Sequence, residues 1–597
     1  MTLIAGILSR RNRSLPDSAC ANLAQSISRS PGDEVKAFRD RTSYFAKVDI
    51  GAFGERGFYV DSSGAFSLLA GEPLLSDRDS LTKRDSTPRS SRLRDLITIH
   101  EQGLRNNWDV LREADGTFCM VHYQPESGTL ALVADKLGIR PLYYWLDDDL
   151  VVFASVLRIL EECPLVPKKM DLRAVTEMVG LDAPLADRTP YAGISLLKPA
   201  EVVEVAKGKI SRRCYWRWDE IEVSPEPEQA RLTAVYDHFQ SAVERRIKNA
   251  EATTAYLSGG LDSRSVVAAL CQIGVRVHTV NFARPGTQDY YCGNQFAERL
   301  GSTHQSLPKA EGDCVPDYSL LMAKAIEEFN EKSNHGGQLS AERPRLVWSG
   351  EGGSVLLGHV HLSESIIELM RAGNVDGAID AYLEREQIHV PPKLFRAHLL
   401  ENARDVIKQG IREELDQLHA ADPGRNFYLY LALNDQRRKL MSHFENIDQH
   451  RLEFQLPFFD GQFVSSIVGT QLDWCLRHKF YVKWLSQFPP VVTGVPWQAY
   501  PGHEPCPLPA PPELAYQWDD SYQAKEDASQ KQRVMRQASE LLRAADFPDK
   551  ILNRRNLRLA AWIHARGWRD YRYAIEAAQT YHAYSKKCGG EFILSLT

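Results

Sequence analysis

The chain of 597 residues has no apolar run of membrane-spanning length. Its longest are strand-like stretches such as Leu150-Val-Val-Phe-Ala-Ser155, against the roughly 18 to 20 residues that a bilayer-crossing helix needs. Nor does it have a secretory signal: in Met1-Thr-Leu-Ile-Ala-Gly-Ile-Leu-Ser-Arg-Arg11 the charges follow the apolar run instead of preceding it. No Cys-x-x-Cys pair occurs among ten scattered cysteines, so neither a zinc ribbon nor a disulfide framework is indicated, and reduced, mostly buried thiols are expected. There is no basic excess either. Lys plus Arg number 72 and Asp plus Glu 78, a formal charge of −6, without the concentrated positive footprint of a nucleic-acid binder. These absences predict a cytoplasmic protein with no membrane insertion and no nucleic-acid partner. What is present is ordinary globular composition, 43% apolar and 25% charged, on a chain too long for one core.

The first ~215 residues read as β-rich, with short strands such as Phe118-Cys-Met-Val-His-Tyr123, Leu130-Ala-Leu-Val-Ala134 and Val151-Val-Phe-Ala154 between Gly, Asp and Ser turns. Asp147-Asp-Asp149 reads as a hairpin tip, and the polar stretch Ser76 to Arg94 as a mobile loop. Ser224-Pro-Glu-Pro-Glu-Gln229 punctuates the chain, and the boundary is set between domains 1–220 and 221–597. Beyond it, strands Thr254–Leu257, Val277–Phe282 and Arg345–Trp348 alternate with helices over Val266–Gln272 and around Asn294–Leu300, the pattern of a parallel sheet covered on both faces. Long amphipathic helices dominate from residue 361, interrupted by the Pro-rich segment Pro501–Pro512.

The strongest chemical signal is Ser258-Gly-Gly-Leu-Asp-Ser263, between a predicted strand and a predicted helix. Two glycines let backbone amides approach an anion, Ser258 and Ser263 add hydroxyl donors, and a helix start contributes its positive end. Asp262 supplies a hard carboxylate for magnesium bound to phosphate oxygens. The motif is not G-x-x-x-x-G-K-[ST], which excludes a kinase or GTPase loop as its model.

With these residues quoted, the chain resembles the asparagine synthetase superfamily. Ala134-Asp-Lys-Leu-Gly-Ile-Arg-Pro-Leu-Tyr-Tyr144 and Phe153-Ala-Ser155 resemble a class II glutamine amidotransferase domain. Ser258–Ser263 resembles the family's ATP loop, with Asp289, Ala297 and His304 at the family's spacing behind it. Ser349-Gly-Glu-Gly352 resembles its S-G-E-G loop, and Leu452–Asp460 its L-E-x-R-x-P-F-L-D segment. The resemblance implies an α/β protein: an N-terminal amidotransferase-like (Ntn) α/β/β/α domain and a C-terminal ATP-pyrophosphatase (adenine nucleotide α hydrolase-like) parallel sheet with many helices. It implies ATP and Mg2+ as cofactors, Glu351 and Glu453 as catalytic, and Leu257, Ser258, Gly259, Gly260, Asp262, Ser263, Asn281, Phe282, Ser349 and Gly350 as binding ATP or pyrophosphate, with Asp262 on the metal.

Three departures shape the expected function. Thr2 stands where a working glutaminase has a Cys whose own freed amine activates its thiol, and Gly71-Glu-Pro-Leu74 replaces the family's G-E-I-Y-N, so a silent glutaminase is expected. Ser354 stands where the family has a magnesium-binding Asp. The family's R-x-K pyrophosphate segment is unrecognisable; Lys483 is the candidate charge for it, with a solvated helix-face lysine equally open, and Pro496-Trp-Gln-Ala-Tyr-Pro-Gly-His503 follows. A silent glutaminase beside an ATP loop resembles β-lactam synthetases and the cyclases of lasso peptides, the Trp497–Pro507 stretch favouring the latter. The expectation is an AMP-forming ligase joining an Asp or Glu side chain of a linear core peptide to that peptide's N-terminal amine, with Trp497, Tyr500 and His503 lining a peptide cleft and a leader peptidase and leader-recognition protein as partners. Left open are a synthetase acting on a small molecule with free ammonia and a catalytically silent scaffold binding ATP or peptide. His359 and His361 suggest a metal site only if a third ligand joins them.

Overall fold

The computed structural model describes residues 1–76, 91–206, 208–248, 250–307, 345–516 and 520–594. The loop read at Ser76 to Arg94 falls mostly, at 77–90, outside these residues. The chain forms two compact units, each built from three stretches: Met1–Cys163, Leu197–Val360 and Leu440–Gln517 in the first, Pro164–Leu196, His361–Lys439 and Trp518–Thr597 in the second. Residue 220 therefore separates two sheet systems inside the first unit instead of separating the units.

Within the first unit, strand Thr2–Ser9 is buried along its whole length. It pairs antiparallel with Ser43–Asp49 on one side and Leu150–Ala154 on the other. That central position explains its almost unbroken apolar sequence, which a strand with one wet face would interrupt by alternation. A second antiparallel sheet runs in the order Lys209–Cys214, Glu201–Ala206, Thr129–Ala134, Phe118–Gln124, Phe66–Gly71, Phe58–Val60. The facing sides share a core that includes Phe45, Phe66, Tyr123, Phe153 and Val203. Helix Asp17–Ser26 covers the first sheet and helix Arg92–Gly103 the second, completing four layers α/β/β/α. Asp147–Asp149 is a hairpin tip, as read from sequence, between paired strands Tyr143–Leu146 and Leu150–Ala154.

The other sheet of this unit has five parallel strands in the order Thr303–Ser306, Arg276–Asn281, Ala252–Tyr256, Leu346–Trp348, Glu453–Gln455. Helices Leu261–Gln272 and Gln288–Leu300 connect the first strands in the alternation that the sequence predicts. Both edge strands escaped prediction: Thr303–Ser306 is four polar residues, and Glu453–Gln455 only three residues long.

The two sheet systems meet along buried ion pairs. Glu453, with no exposed surface, pairs with the Arg140 guanidinium and lies 3.3 Å from the Met1 amine. Glu72 accepts from Lys248 Nζ at 2.6 Å and from Gln455 Nε2 at 3.0 Å. Asp115 accepts from Lys136 and Arg245, both at 3.0 Å, and Asp460 from Arg245 and Arg246 at 2.7 Å. Burial alone would raise the Asp460 pKa, but the two guanidinium groups outweigh it and hold the carboxyl below its ordinary range.

The second unit is mainly helical, with Glu364–Arg371, Val375–Arg385, Ala403–Leu415, Pro423–Tyr430, Asp520–Arg543, Arg554–Ala565 and Arg572–Lys587 among its helices. Local signals set their starts. Pro423 occupies a first helical position, where its missing N–H costs nothing, and Asp422 caps the Gly424 amide at 2.9 Å. A two-residue parallel pairing of Met170–Asp171 with Phe592–Ile593 ties chain segments far apart in sequence. No helix among the described residues is long and apolar enough to cross a membrane.

Removing one member of a buried ion pair leaves the other charged and unpaired, at a cost of about 3–5 kcal/mol. Arg140→Ala is expected to lower the urea midpoint of unfolding accordingly. Adding Glu453→Gln to it should recover part of the loss, measured as a double-mutant cycle.

Candidate active site

Strand Ala252–Tyr256 has Arg276–Asn281 on one side and Leu346–Trp348 on the other, so the order of strands reverses at its carboxyl end. In open parallel sheets that reversal leaves a crevice, and ligands bind there. Two loops fill its mouth: Ser258–Ser263 after the first strand and Ser349–Gly352 after the fourth. The loops touch. A Cβ on Gly350 would lie 2.5 Å from the Ser263 amide nitrogen, and one on Gly353 would lie 2.5 Å from the Asp262 carboxyl carbon. Only glycine permits this approach.

The Ser258–Ser263 loop is closed on itself. The Ser258 amide donates to Ser263 Oγ at 2.9 Å, the Gly260 amide to Ser258 Oγ at 3.2 Å, and the Gly259 amide to the Asp289 carboxylate. Asn281 holds this arrangement from below, its Nδ2 donating to the Asp289 carbonyl at 3.3 Å. No side chain caps helix Leu261–Gln272, which leaves its first-turn amides for an anion. Leu257 continues the sheet ladder onto the Val280 carbonyl, and Phe282 packs edge-on against Tyr256 with centroids 5.4 Å apart. Ala297 is buried in the helix behind, and burial lowers the His304 pKa to about 4, so its imidazole is neutral.

Asp262 accepts three hydrogen bonds. Tyr481 Oη donates to Oδ1 at 2.6 Å, and the Ser354 amide and hydroxyl donate to Oδ2 at 3.0 and 2.8 Å. Ser354 is thus a donor to the carboxylate, not a substitute metal ligand. Desolvation pushes the Asp262 pKa above its ordinary value, against the hydrogen bonds from Tyr481 and Ser354. A carboxylate has about four acceptor sites, so roughly one lone pair, on Oδ1, remains for a cation. That fits Mg2+, which takes few protein ligands and completes its shell with phosphate oxygens and water. When bound there, it would neutralise charge on the phosphates. Among the described residues no group of three or more His, Cys, Asp or Glu could hold a metal, and His359 and His361 lie in a turn, not on a strand.

The segment after the sheet is pinned onto this loop. Arg264, wholly buried, donates to the carbonyls of Gly260, Val492, Val495 and Pro496 at 3.2, 2.9, 3.0 and 2.8 Å. The Gln498 amide donates to the Gly259 carbonyl at 2.9 Å. Tyr500 and His503 consequently stand beside the site, half-buried, and cluster with His478: the His478–His503 and Tyr500–His503 centroids are 4.5 and 5.5 Å apart.

Three expected site residues lie elsewhere. Trp497 is 4% exposed, packed against the Arg264 guanidinium, and lines no cleft. Lys483 is ion-paired with Glu228 at 2.8 Å on an exposed face, because Tyr481, two residues and about 200° around the helix earlier, takes the side facing Asp262. Glu453 is neutralised inside the seam, so it cannot relay protons in the crevice. Glu351 is exposed, its amide donating to Ser349 Oγ at 3.3 Å. Sequence reasoning missed Arg264, Tyr481 and His478. Arg264 alone left a trace, as a charge directly behind the motif on an otherwise apolar helix.

The silent-glutaminase reading has a geometric counterpart. Thr2 is 2% exposed, and its hydroxyl makes no hydrogen bond. The space lined by Thr2, Cys119, Arg140, Ser155 and Phe444 is about 10 Å3, the room of one water.

Residues 96–216 match the family described as a glutamine amidotransferase domain, and residues 234–480 match the family described as asparagine synthase. The chain is similar to the asparagine synthetase superfamily in both of these regions. Relatives in that superfamily include asparagine synthetase [glutamine-hydrolyzing] 3 of Bacillus subtilis (strain 168), 26% identical over 228 residues, which is 35% of this chain and 36% of the relative. Putative asparagine synthetase [glutamine-hydrolyzing] 2 of Methanocaldococcus jannaschii is 24% identical over 191 residues, 30% of this chain and 36% of the relative. The chain thus spans about a third of the length of the relatives it matches. A solved glutamine phosphoribosylpyrophosphate amidotransferase from B. subtilis covers 57% of this chain and 97% of its own at 11% identity, with a TM-score of 0.26, too low to bear on the fold.

Two outcomes are expected. With no room for glutamine behind Thr2, incubation with glutamine should release no glutamate, with or without ATP; release that disappears in Thr2→Ala would contradict the geometry. Gly353→Ala forces the Asp262 carboxylate out of place and should cut ATP–pyrophosphate exchange by at least ~100-fold, as displacements of about 1 Å do.

Proposed function

We propose that the protein is an ATP-dependent, AMP-forming amide ligase, and within that class a cyclase of lasso peptides. A side-chain carboxylate of a linear core peptide attacks the α-phosphate of ATP. The Pα–O bond to the β-phosphate breaks, yielding an acyl-adenylate and pyrophosphate. The peptide's N-terminal amine then attacks the acyl carbon, AMP leaves, and the amine proton passes to a base. The observation that carries this reading is the space behind Thr2 reduced to the room of one water, too small for glutamine, which favours an amine that arrives with the substrate. Tyr500 and His503, held against the nucleotide loop through Arg264 and Gln498, offer aromatic and imidazole faces to a peptide.

The chemistry required of this chain's residues is limited. In this reading the loop amides and the start of helix Leu261–Gln272 hold the phosphates, and Asp262 would bring a carboxylate to Mg2+. Enclosure keeps water from the adenylate, and holding amine and ester together makes the second step effectively unimolecular. An incoming α-amine, with an ordinary pKa near 8, is largely protonated at neutral pH, so a carboxylate base assists it, and this reading gives that role to exposed Glu351. The linear core peptide, a leader peptidase and a leader-recognition protein are the partners this reading entails. A synthetase using a small β-amino acid is the second reading, favoured by the same closed glutamine space.

The test is pyrophosphate release with a linear core peptide, read together with the product's mass, lower by one water after ring closure. Glu351→Gln should retain adenylation and lose cyclisation, giving a raised ratio of AMP to cyclic peptide. Glu453→Gln, as a change in the buried seam, should reduce both products in parallel. Pyrophosphate released only with a small amino acid would favour the second reading, and none with any carboxylate would leave a scaffold.

A further inference from the structure

Helix Arg554–Ala565 starts at Asn553, whose side chain accepts from the Arg555 and Asn556 amides at 3.1 and 3.3 Å. One face, Leu557, Ala561 and His564, is buried. The other is exposed at every turn: Arg555, then Arg558 and Leu559, then Trp562, with Arg566 one turn beyond. Leu559 is 55% exposed, Trp562 43%, and Trp568, after the helix, 69%. The rings are ordered against each other. Trp568 stands edge-on to Trp562 with centroids 5.0 Å apart at 90°, and the Arg566 guanidinium lies 3.8 Å over the Trp562 ring. Gly567, at φ +70°, supplies the left-handed turn that brings Trp568 back over the helix end.

Scattered exposed apolar residues need no explanation, but two indoles locked together with an arginine between them do. Trp and Arg dominate the energetic centres of protein interfaces, and side chains already ordered lose little freedom on binding. Charge defines the occupant. Residues 554–572 hold six Arg and one Asp, a formal +5 within a chain of −6. A two-fold contact with a second copy would set this arginine row against itself, which like-charge repulsion opposes.

The geometry points to a docking site for an acidic protein segment, with Asp or Glu side chains facing the arginines and an apolar side chain against the Trp562–Trp568 pair. This goes beyond the proposed reaction and does not depend on it.

The experiment selects randomised 12-residue displayed peptides in parallel on the full chain and on its Arg566→Glu/Trp568→Ala variant, whose substituted side chains are surface groups. Circular dichroism and the thermal midpoint establish that the variant is folded; Arg566→Lys/Trp568→Phe serves in its place if it is not. Peptides enriched on the wild type should combine Asp or Glu with apolar residues. They should bind the variant at least tenfold more weakly and lose affinity as NaCl rises. Charge-reversed versions, with Lys for Glu, should not bind. Equal enrichment on both proteins, or enriched peptides without acidic bias, overturns the proposal. So does retention on phosphatidylglycerol vesicles that the variant abolishes while no acidic peptide binds, which would assign the patch to a lipid surface. A concentration-dependent dimer lost in the variant would assign it to self-association and overturn it likewise.

Discussion

A carboxylate with no exposed surface must have its charge answered inside the protein, and Glu453 is that carboxylate. It begins the edge strand of the parallel sheet, yet its guanidinium partner, Arg140, comes from the antiparallel sandwich. Burial pushes the Arg140 pKa down to about 10, still far above neutral, so the guanidinium keeps its charge. Gln455, two residues along the same strand and on the same side, reaches Glu72, which also answers Lys248. The strand is short and has a sheet neighbour on one side only. Side chains of the other sheet system hold it in register, and the Ser349 amide, at the mouth of the crevice, donates to the Gln455 carbonyl at 3.1 Å.

That dependence gives a physical reason for a sandwich with a closed glutamine space to persist. Deleting it would leave Glu453, Arg245 and Lys248 in the parallel-sheet system without Arg140, Asp115 and Glu72, each at a cost of several kcal/mol. The seam also separates two meanings of a carboxylate in one motif. Glu351 and Glu453 both fall in family-like segments, but one is open to solvent and the other is sealed by a guanidinium.

Much of the fold was legible because it is written in local patterns. The alternation of short apolar strands, the Ser-Pro-Glu-Pro punctuation and the strand–loop–helix context of Ser258–Ser263 each act over a few residues. What sequence reasoning could not see are choices made by distant contacts. Lys483 was the candidate on its short helix, but the packing of that helix turns Tyr481, which no sequence motif marked, toward Asp262 and leaves Lys483 on Glu228. Ser354 reads as a lost ligand in sequence and is a hydrogen-bond donor in space. Trp497 reads as a cleft residue in a Pro-rich loop, yet Arg264 draws that loop inward by its carbonyls. The second unit's assembly from three separate stretches was likewise invisible, since pairings such as Met170 with Phe592 join residues remote in the chain.

Arg264 has a consequence for how the site can move. A loop that closes over a substrate as a lid needs weak attachment at its moving end. Here one guanidinium fastens Val492, Val495 and Pro496 to the carbonyl of Gly260, through four hydrogen bonds of the charged kind, each worth about 1.5–3 kcal/mol. Residues 492–496 and the Ser258–Ser263 loop are therefore fastened to each other. Whatever enters the crevice meets, along this side, a rim whose shape is set before it arrives.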